Sequence, residues 1–211
     1  MTFDTIIVAP HPDDAALSLG GGLTASRFRN AAVIVVFSQT NFRVGGVCEP
    51  QVVSETRRRE EFNALSPWVR ALIFLEHEDH SLRRKEKEDA SAVARHLCTV
   101  LDGMPSSSDT LLLFPMGVGG HPDHELLHIL GRSLDRPFRK GYFEDLPYAA
   151  MGERHSLDRA GVPGLERSVV ESDFKMKARL LRFYRSQGLG AYMDSIERHH
   201  VERGGEVIYR E

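Results

Sequence analysis

The 211-residue sequence predicts an α/β fold in which a mainly parallel sheet is covered by helices on both sides. Short apolar runs, which are typical of strands buried on both faces, alternate with longer segments that carry apolar residues at three- and four-residue spacing. The apolar runs are Thr5–Ala9, Ala31–Ser38, Ala71–Leu75 and Thr110–Pro115, and the helical segments are Ala15–Arg29, Val52–Leu65, Glu86–Leu101 and Asp123–Leu134. This alternation predicts crossover connections between parallel strands.

The pattern weakens after Pro137. We expect an edge strand over Lys140–Ala149, a short strand over Val169–Glu171 and a late helix over Ser172–Arg185. The chain length is that of one domain with a sizeable core, so residues 1–211 are predicted to form a single domain.

Composition excludes several classes of protein. Hydrophobic residues make up 41% and charged residues 27% of the chain, as in an ordinary globular protein. The net charge of −3 argues against a nucleic-acid or anionic-membrane binder. Two cysteines exclude a disulfide scaffold and a four-cysteine zinc module, and they favour a reducing, cytoplasmic location. No apolar run approaches the roughly 20 residues of a membrane span, and Met1–Ala9 has no basic residue, which predicts a strand rather than a signal peptide.

The first polar motif, His11-Pro12-Asp13-Asp14, directly follows the first predicted strand. Ligands of open parallel sheets bind beyond the carboxyl ends of the strands, so this is where chemistry is expected. One aspartate is enough to cap the helix that follows. His11 and Asp14 suit a divalent metal such as zinc as nitrogen and oxygen ligands, and Asp13 then remains as a base beside the metal.

The second motif, His121-Pro122-Asp123-His124, follows the fourth predicted strand after a glycine-rich lead-in. Taken alone, it is explained equally well by Asp123 capping a helix. Taken together, the two motifs can converge at one end of the sheet. His11, Asp14 and one second-motif histidine then supply three protein ligands, the number found at catalytic zinc sites.

Two other sequence motifs give weaker indications of function. The run from His124 to His128 matches H-E-x-x-H, but a metalloprotease of that type would leave the first motif without a role. Gly20-Gly21-Gly22 does not match G-x-G-x-x-G and lies inside or after the first helix, so we predict close helix packing or a kink there.

The paired motifs resemble those of the LmbE/PIG-L family of metal-dependent N-deacetylases. The resemblance implies a Rossmann-like fold and removal of an acyl group, usually acetyl, from N-acylated amino sugars. Softer similarities to the same family lie at Thr56–Glu61, Glu78–Leu82, Tyr142–Tyr148 and Lys177–Gln187. The chain departs from many relatives at Ala15, where they carry glutamate.

The resemblance also implies roles for individual residues. It implies metal ligands at His11, Asp14 and His124, with zinc as the expected ion and iron or cobalt as alternatives. It implies catalytic roles for Asp13 as general base, for a protonated His121 at the oxyanion, and for Asp123 as the partner that orients His121. Arg58 and Asp79 match positions that contact substrate.

The leading hypothesis is therefore a zinc-dependent hydrolase acting on a small N-acylated amino sugar or its conjugate. An amidase for a larger acyl group or a thiol conjugate has the same metal chemistry and stays open. A non-catalytic module that binds a sugar or nucleotide is disfavoured, because it needs no acid–base pair such as Asp13 and His121. The sequence predicts neither a nucleic-acid partner nor a membrane span, and it leaves a homo-oligomer open.

Overall fold

The computed structural model describes residues 2–45, 48–83, 90–152 and 164–211, and within these ranges seven strands form one sheet. The strands are β1 (Thr5–Ala9), β2 (Ala31–Val35), β3 (Ala71–Phe74), β4 (Leu111–Pro115), β5 (Arg139–Phe143), β6 (Glu166–Val170) and β7 (Glu206–Arg210). Their order is β3-β2-β1-β4-β5-β7-β6. The first five in that order are parallel, whereas β7 runs antiparallel to both β5 and β6.

Helices cover both faces of this sheet, as the sequence predicts. They are α1 (Asp14–Thr24), α2 (Pro50–Leu65), α3 (Ala90–Gly103), α4 (Pro122–Ser133), α5 (Phe174–Leu181) and α6 (Met193–Arg203). Alternate strand residues enter two separate cores: Ile7 packs with α1, α5 and α6, while Ile6 packs with α3 and α4. None of the described helices is long and apolar enough to cross a bilayer.

The first four predicted strands and helices are confirmed, with ends that shift by a few residues. The predicted helix Glu86–Leu101 begins at Ala90, and its first four residues lie outside the described residues. The prediction of an edge strand over Lys140–Ala149 is wrong. The strand ends at Phe143 and lies inside the sheet, because β7 from the end of the chain pairs along its far side.

The structure contains more helices and strands in the C-terminal third than the sequence pattern predicted. The late helix spans only Phe174–Leu181, and the short strand spans Glu166–Val170 at the edge of the sheet. Helix α6 and strand β7 were not predicted. Polar residues dominate α6, and β7 is a five-residue strand whose pairing is decided by partners distant in the chain.

The glycine run in α1 serves close packing, as predicted. A Cβ at Gly21 would lie 2.7 Å from Ser172, and one at Gly22 would lie 2.6 Å from the ring of Phe28. The backbone N–H groups of Gly21 and Gly22 donate hydrogen bonds of 2.8 and 2.7 Å to the two carboxylate oxygens of Glu206 in β7. These two hydrogen bonds therefore hold α1 against β7.

The same carboxylate forms a buried ion pair. Lys177 Nζ in α5 lies 2.9 Å from Glu206 Oε1, and both residues are buried. We expect Lys177→Met to lower the free energy of unfolding by about 3–5 kcal/mol, because it leaves a buried carboxylate without its cation. Urea unfolding measures this loss. Lys175→Met, which removes an exposed lysine from the same helix, is the matched control, and an equal loss in both variants would contradict the prediction.

Candidate metal centre

The two His-Pro-Asp motifs meet because their strands are neighbours. β1 pairs in parallel with β4, so the loops that leave their carboxyl ends lie side by side. In the sheet, β2 lies on one side of β1 and β4 lies on the other, so the strand order changes direction at β1. Open α/β sheets bind ligands at such a switch point. The convergence expected from the sequence is therefore present.

His11, Asp14 and His124 form a group that could hold a metal ion. Asp14 Oδ2 lies 3.1 Å from His11 Nδ1 and 3.3 Å from His124 Nε2, and all three residues are buried. Two ligands bound tetrahedrally to zinc are about 3.4 Å apart, so the spacing fits. Burial raises the pKa of Asp14, but the adjacent His124 and His11 outweigh burial and hold that pKa well below its usual value.

A second group that could hold a metal, His11 with His121 and Asp123, shares His11 with the first. The Asp123 carboxylate is already occupied, however. It is paired with Arg83, and it accepts a hydrogen bond of 2.9 Å from the backbone N–H of His80. The first group is therefore the better metal site.

Both histidines of the first group have a carboxylate within hydrogen-bond distance of their other ring nitrogen. His11 Nε2 lies 2.8 Å from Asp123 Oδ2, and His124 Nδ1 lies 2.7 Å from Asp145 Oδ1. Such contacts fix which ring nitrogen carries the proton and turn the other toward the metal. Asp145 was not among the predicted site residues, although an acidic residue directly after a parallel strand, here β5, is the same signal that singled out the first motif.

The Asp123 carboxylate contacts a different histidine from the one expected. Its carboxylate bonds His11, and its contact with His121 is a backbone N–H that donates to His121 Nδ1 over 3.3 Å. Because Nδ1 accepts, the proton of a neutral His121 is on Nε2. Burial and the neighbouring His11 and His124 lower the pKa of His121 to about 4, which favours the neutral ring over the protonated form expected from the sequence.

Asp13 lies beside this group in an unusual backbone conformation. Its φ of 113° is in the region that disfavours side chains with a Cβ, which costs about 1–3 kcal/mol. The Asp13 N–H donates a 2.9 Å hydrogen bond to Glu61 Oε2, and Asp13 Oδ2 lies 3.3 Å from Arg57 Nη2. Burial raises the pKa of Asp13 to about 7, although Arg57 acts in the opposite direction.

Helix α2 supplies the support for Asp13. Arg57 and Glu61 are one turn apart and face the same loop, and Arg57 also donates a 2.8 Å hydrogen bond to the carbonyl of Pro12. Glu61 is fully buried and accepts a second, 2.6 Å hydrogen bond from the hydroxyl of Tyr184. The loop is thus held from α2 and from the segment after α5.

Of the two residues predicted to contact substrate, Asp79 lines the cavity beside the motifs and Arg58 does not. Asp79 is buried, lines the same cavity as the motifs and accepts hydrogen bonds from Ser81. Arg58 does not line that cavity but pairs with Glu76 over 2.6 Å, whereas Arg57 does line it. Successive helix residues point about 100° apart, so a shift of one position decides which arginine reaches the site.

His128 does not join the metal group. Its Nδ1 lies 3.2 Å from the carbonyl oxygen of Pro115, and within the described residues it belongs to neither of the two groups that could hold a metal ion. The H-E-x-x-H string is therefore incidental here.

The chain resembles known proteins in sequence and in structure. Residues 6–134 match the PIG-L family, described as GlcNAc-PI de-N-acetylase. The 2'-N-acetylparomamine deacetylase of Streptomyces fradiae is 33% identical over 172 residues, which is 73% of this chain and 60% of that relative. The chain thus spans less than two thirds of the length of this curated relative.

Solved structures share the fold. A deacetylase of teicoplanin biosynthesis, solved with teicoplanin, has a TM-score of 0.76 at 21% identity and covers 98% of this chain and 97% of its own. GalB, the 4-carboxy-2-hydroxymuconate hydratase from Pseudomonas putida, has a TM-score of 0.67 at 16% identity and covers 97% of this chain and 86% of its own. At these identities the likeness establishes the fold.

The contact of Asp145 with His124 predicts a measurable effect on metal affinity. We expect Asp145→Asn to weaken zinc binding roughly 10- to 100-fold, because the ring of His124 loses the carboxylate that orients it. Competition with a chromophoric chelator measures the affinity. Asp135→Asn removes an exposed carboxylate and should leave zinc binding unchanged, and equal affinities in both variants would argue against a supporting role for Asp145.

Proposed function

This chain belongs to the PIG-L family, and on that basis we propose that it is a metal-dependent hydrolase that removes acetyl, or a similar acyl group, from an N-acylated amino sugar or its conjugate. The observation that carries the proposal is the position of Asp13. It is buried directly beside His11, Asp14 and His124 but is not part of the group that could hold a metal ion. A binding module has no use for that arrangement, whereas amide hydrolysis needs a base next to the activated water. The name of the curated relative supports the same reaction class.

We propose that His11, Asp14 and His124 hold the metal, with zinc as the expected ion and iron or cobalt as alternatives. Their nitrogen and oxygen donors suit all three ions, and three protein ligands leave a position open. A divalent ion there supplies Lewis-acid chemistry that makes water a nucleophile near neutral pH.

Asp13 takes the proton of the attacking water in this proposal. A base with a pKa close to the working pH combines a useful deprotonated fraction with enough basicity, and the pKa of about 7 fits this role. Neutral His121 donates its Nε2–H to the carbonyl oxygen as negative charge develops there, which is typically worth a few kcal/mol. The leaving amine receives the water proton from Asp13, because a neutral His121 that gave up its Nε2 proton would become an imidazolate.

We propose Arg57, in place of Arg58, as the arginine that contacts substrate, together with Asp79. Arg57 lines the cavity, whereas Arg58 does not and is paired with Glu76. We further propose that residues 1–211 act as one domain in the cytoplasm.

The role of Asp13 is tested by Asp13→Asn, because asparagine tolerates the same backbone conformation. We expect turnover to fall by roughly 10²- to 10⁴-fold while the metal content stays the same. Release of free amine from N-acetylglucosamine conjugates and elemental analysis measure the two quantities. His11→Ala and His124→Ala should lose metal and activity together. Loss of metal in Asp13→Asn would instead make Asp13 a ligand.

Glu61 is proposed as a positioning residue that holds the amide of Asp13. Glu61→Gln keeps an oxygen acceptor for that N–H and should retain most activity. Glu61→Leu removes the acceptor and should lower kcat roughly 10- to 100-fold with KM little changed, because the base is misplaced. Steady-state kinetics with metal analysis measures this.

Glu55→Leu removes an exposed glutamate from the same helix and is the matched control. Tyr184→Phe deletes only the second hydrogen bond to Glu61 and should give a smaller loss of kcat. Equal activity in the Gln and Leu variants would contradict the positioning role.

A further inference from the structure

We propose that His77 and His96 form a second metal site, which binds a divalent transition-metal ion such as zinc, nickel or copper at the surface of the protein. Neither histidine lines the cavity beside Asp13, and within the described residues neither belongs to the two groups of three side chains that could hold a metal ion. The inference is therefore independent of the proposed function.

The two histidines come from different elements, and the backbone of each is held by other contacts. His77 lies just beyond β3, where its N–H donates a 3.2 Å hydrogen bond to the carbonyl of Val36 and its carbonyl accepts one of 3.1 Å from Gln39. His96 lies in the middle of α3. The strand end and the helix thus place the two side chains side by side.

The distance between the rings suits a shared ion. His77 Nε2 lies 3.1 Å from His96 Nδ1, and the ring centroids are 5.1 Å apart. Two ligands bound tetrahedrally to zinc are about 3.4 Å apart, so a small movement brings both nitrogens to one ion. His96 is exposed and His77 partly exposed, which gives the ion and its remaining water ligands access to the pair.

Both rings can take the protonation state that a metal requires, which is neutral imidazole. Burial, the adjacent His96 and the nearby Arg83 lower the pKa of His77, and this favours its neutral form. When both rings are neutral, one of them donates an N–H to the other across the 3.1 Å contact. That ring changes to its other tautomer when an ion binds, so the hydrogen bond is exchanged for an ion without a change in the charge of either ring.

The arginines near the pair are paired with carboxylates, which reduces their repulsion of a metal ion. Arg83, whose charge acts on His77, forms an ion pair with Asp123. Arg58 of α2 forms an ion pair with Glu76, the residue before His77. Imidazole nitrogens suit zinc, nickel and copper, and copper is expected to bind most tightly of the three.

An ion at this site would link the end of β3 to α3. The two histidines are 19 positions apart in the chain, so the site exists only when these elements are folded against each other. An ion that binds the folded chain but not the unfolded chain raises stability by mass action. The site therefore predicts both a second bound ion and a stabilising effect of that ion.

Equilibrium dialysis against zinc tests the number of bound ions. We expect the wild-type protein to bind one zinc ion more than His77→Gln or His96→Gln, because each variant removes one of the two ligands. His128→Gln is the matched control, since it removes a helical histidine whose ring lies against Pro115 and Tyr142. Equal zinc binding by the wild type and both pair variants, or an equal loss in the control, would overturn the proposal and leave the pair as a hydrogen bond.

Thermal unfolding separates this site from the candidate metal centre. In a His124→Ala background, which removes a ligand of that centre, zinc at ten times its dissociation constant should raise Tm by roughly 3–6 °C. Adding His96→Gln should abolish the rise, and adding His128→Gln should preserve it. A rise that persists without His96 would overturn the second site. If the rise depends on His96 but the wild type hydrolyses no N-acyl substrate, the proposed function fails and the second site stands.

Discussion

The backbone of Asp13 lies in the left-handed region, and the organisation of the site depends on this conformation. It lets two consecutive aspartates serve different partners: Asp14 turns to His11 and His124, while Asp13 stays free of them and contacts Arg57. A residue in a strained backbone conformation persists only where several contacts with its surroundings hold it there. Here the Glu61 carboxylate accepts its N–H, and its own carbonyl accepts the N–H of Leu17 in the first turn of α1.

The charge distribution around the metal group follows from burial. Ionised carboxylates in a low-dielectric interior need partners, and Asp14, Asp123 and Asp145 each lie against a histidine nitrogen. Within the described residues, the side chain of His121 has no hydrogen bond or ion pair with a carboxylate, and burial with the neighbouring His11 and His124 lowers its pKa to about 4. The pocket thereby combines a group that could hold a metal ion with Asp13 and His121, to which we assign the base and the hydrogen-bond donor of the proposed hydrolysis.

The fold alone does not select this reaction, since a hydratase and several deacetylases share it. The distinction lies in the side chains around the switch point of the sheet and in the cavity that opens from it. Phe42 and Met151 contribute apolar surface to that cavity, and Asp79 contributes a carboxylate.

The sequence by itself determined the parallel α/β architecture and the convergence of the two His-Pro-Asp motifs. Both depend on local periodicity and on the rule that parallel strands end at one edge. Only the tertiary structure decided that Arg57 rather than Arg58 reaches the site, and that Asp123 supports His11, 112 positions away. The rotation of a helix and the pairing of the final strand β7 are fixed by packing between segments distant in the chain, and no local pattern encodes them.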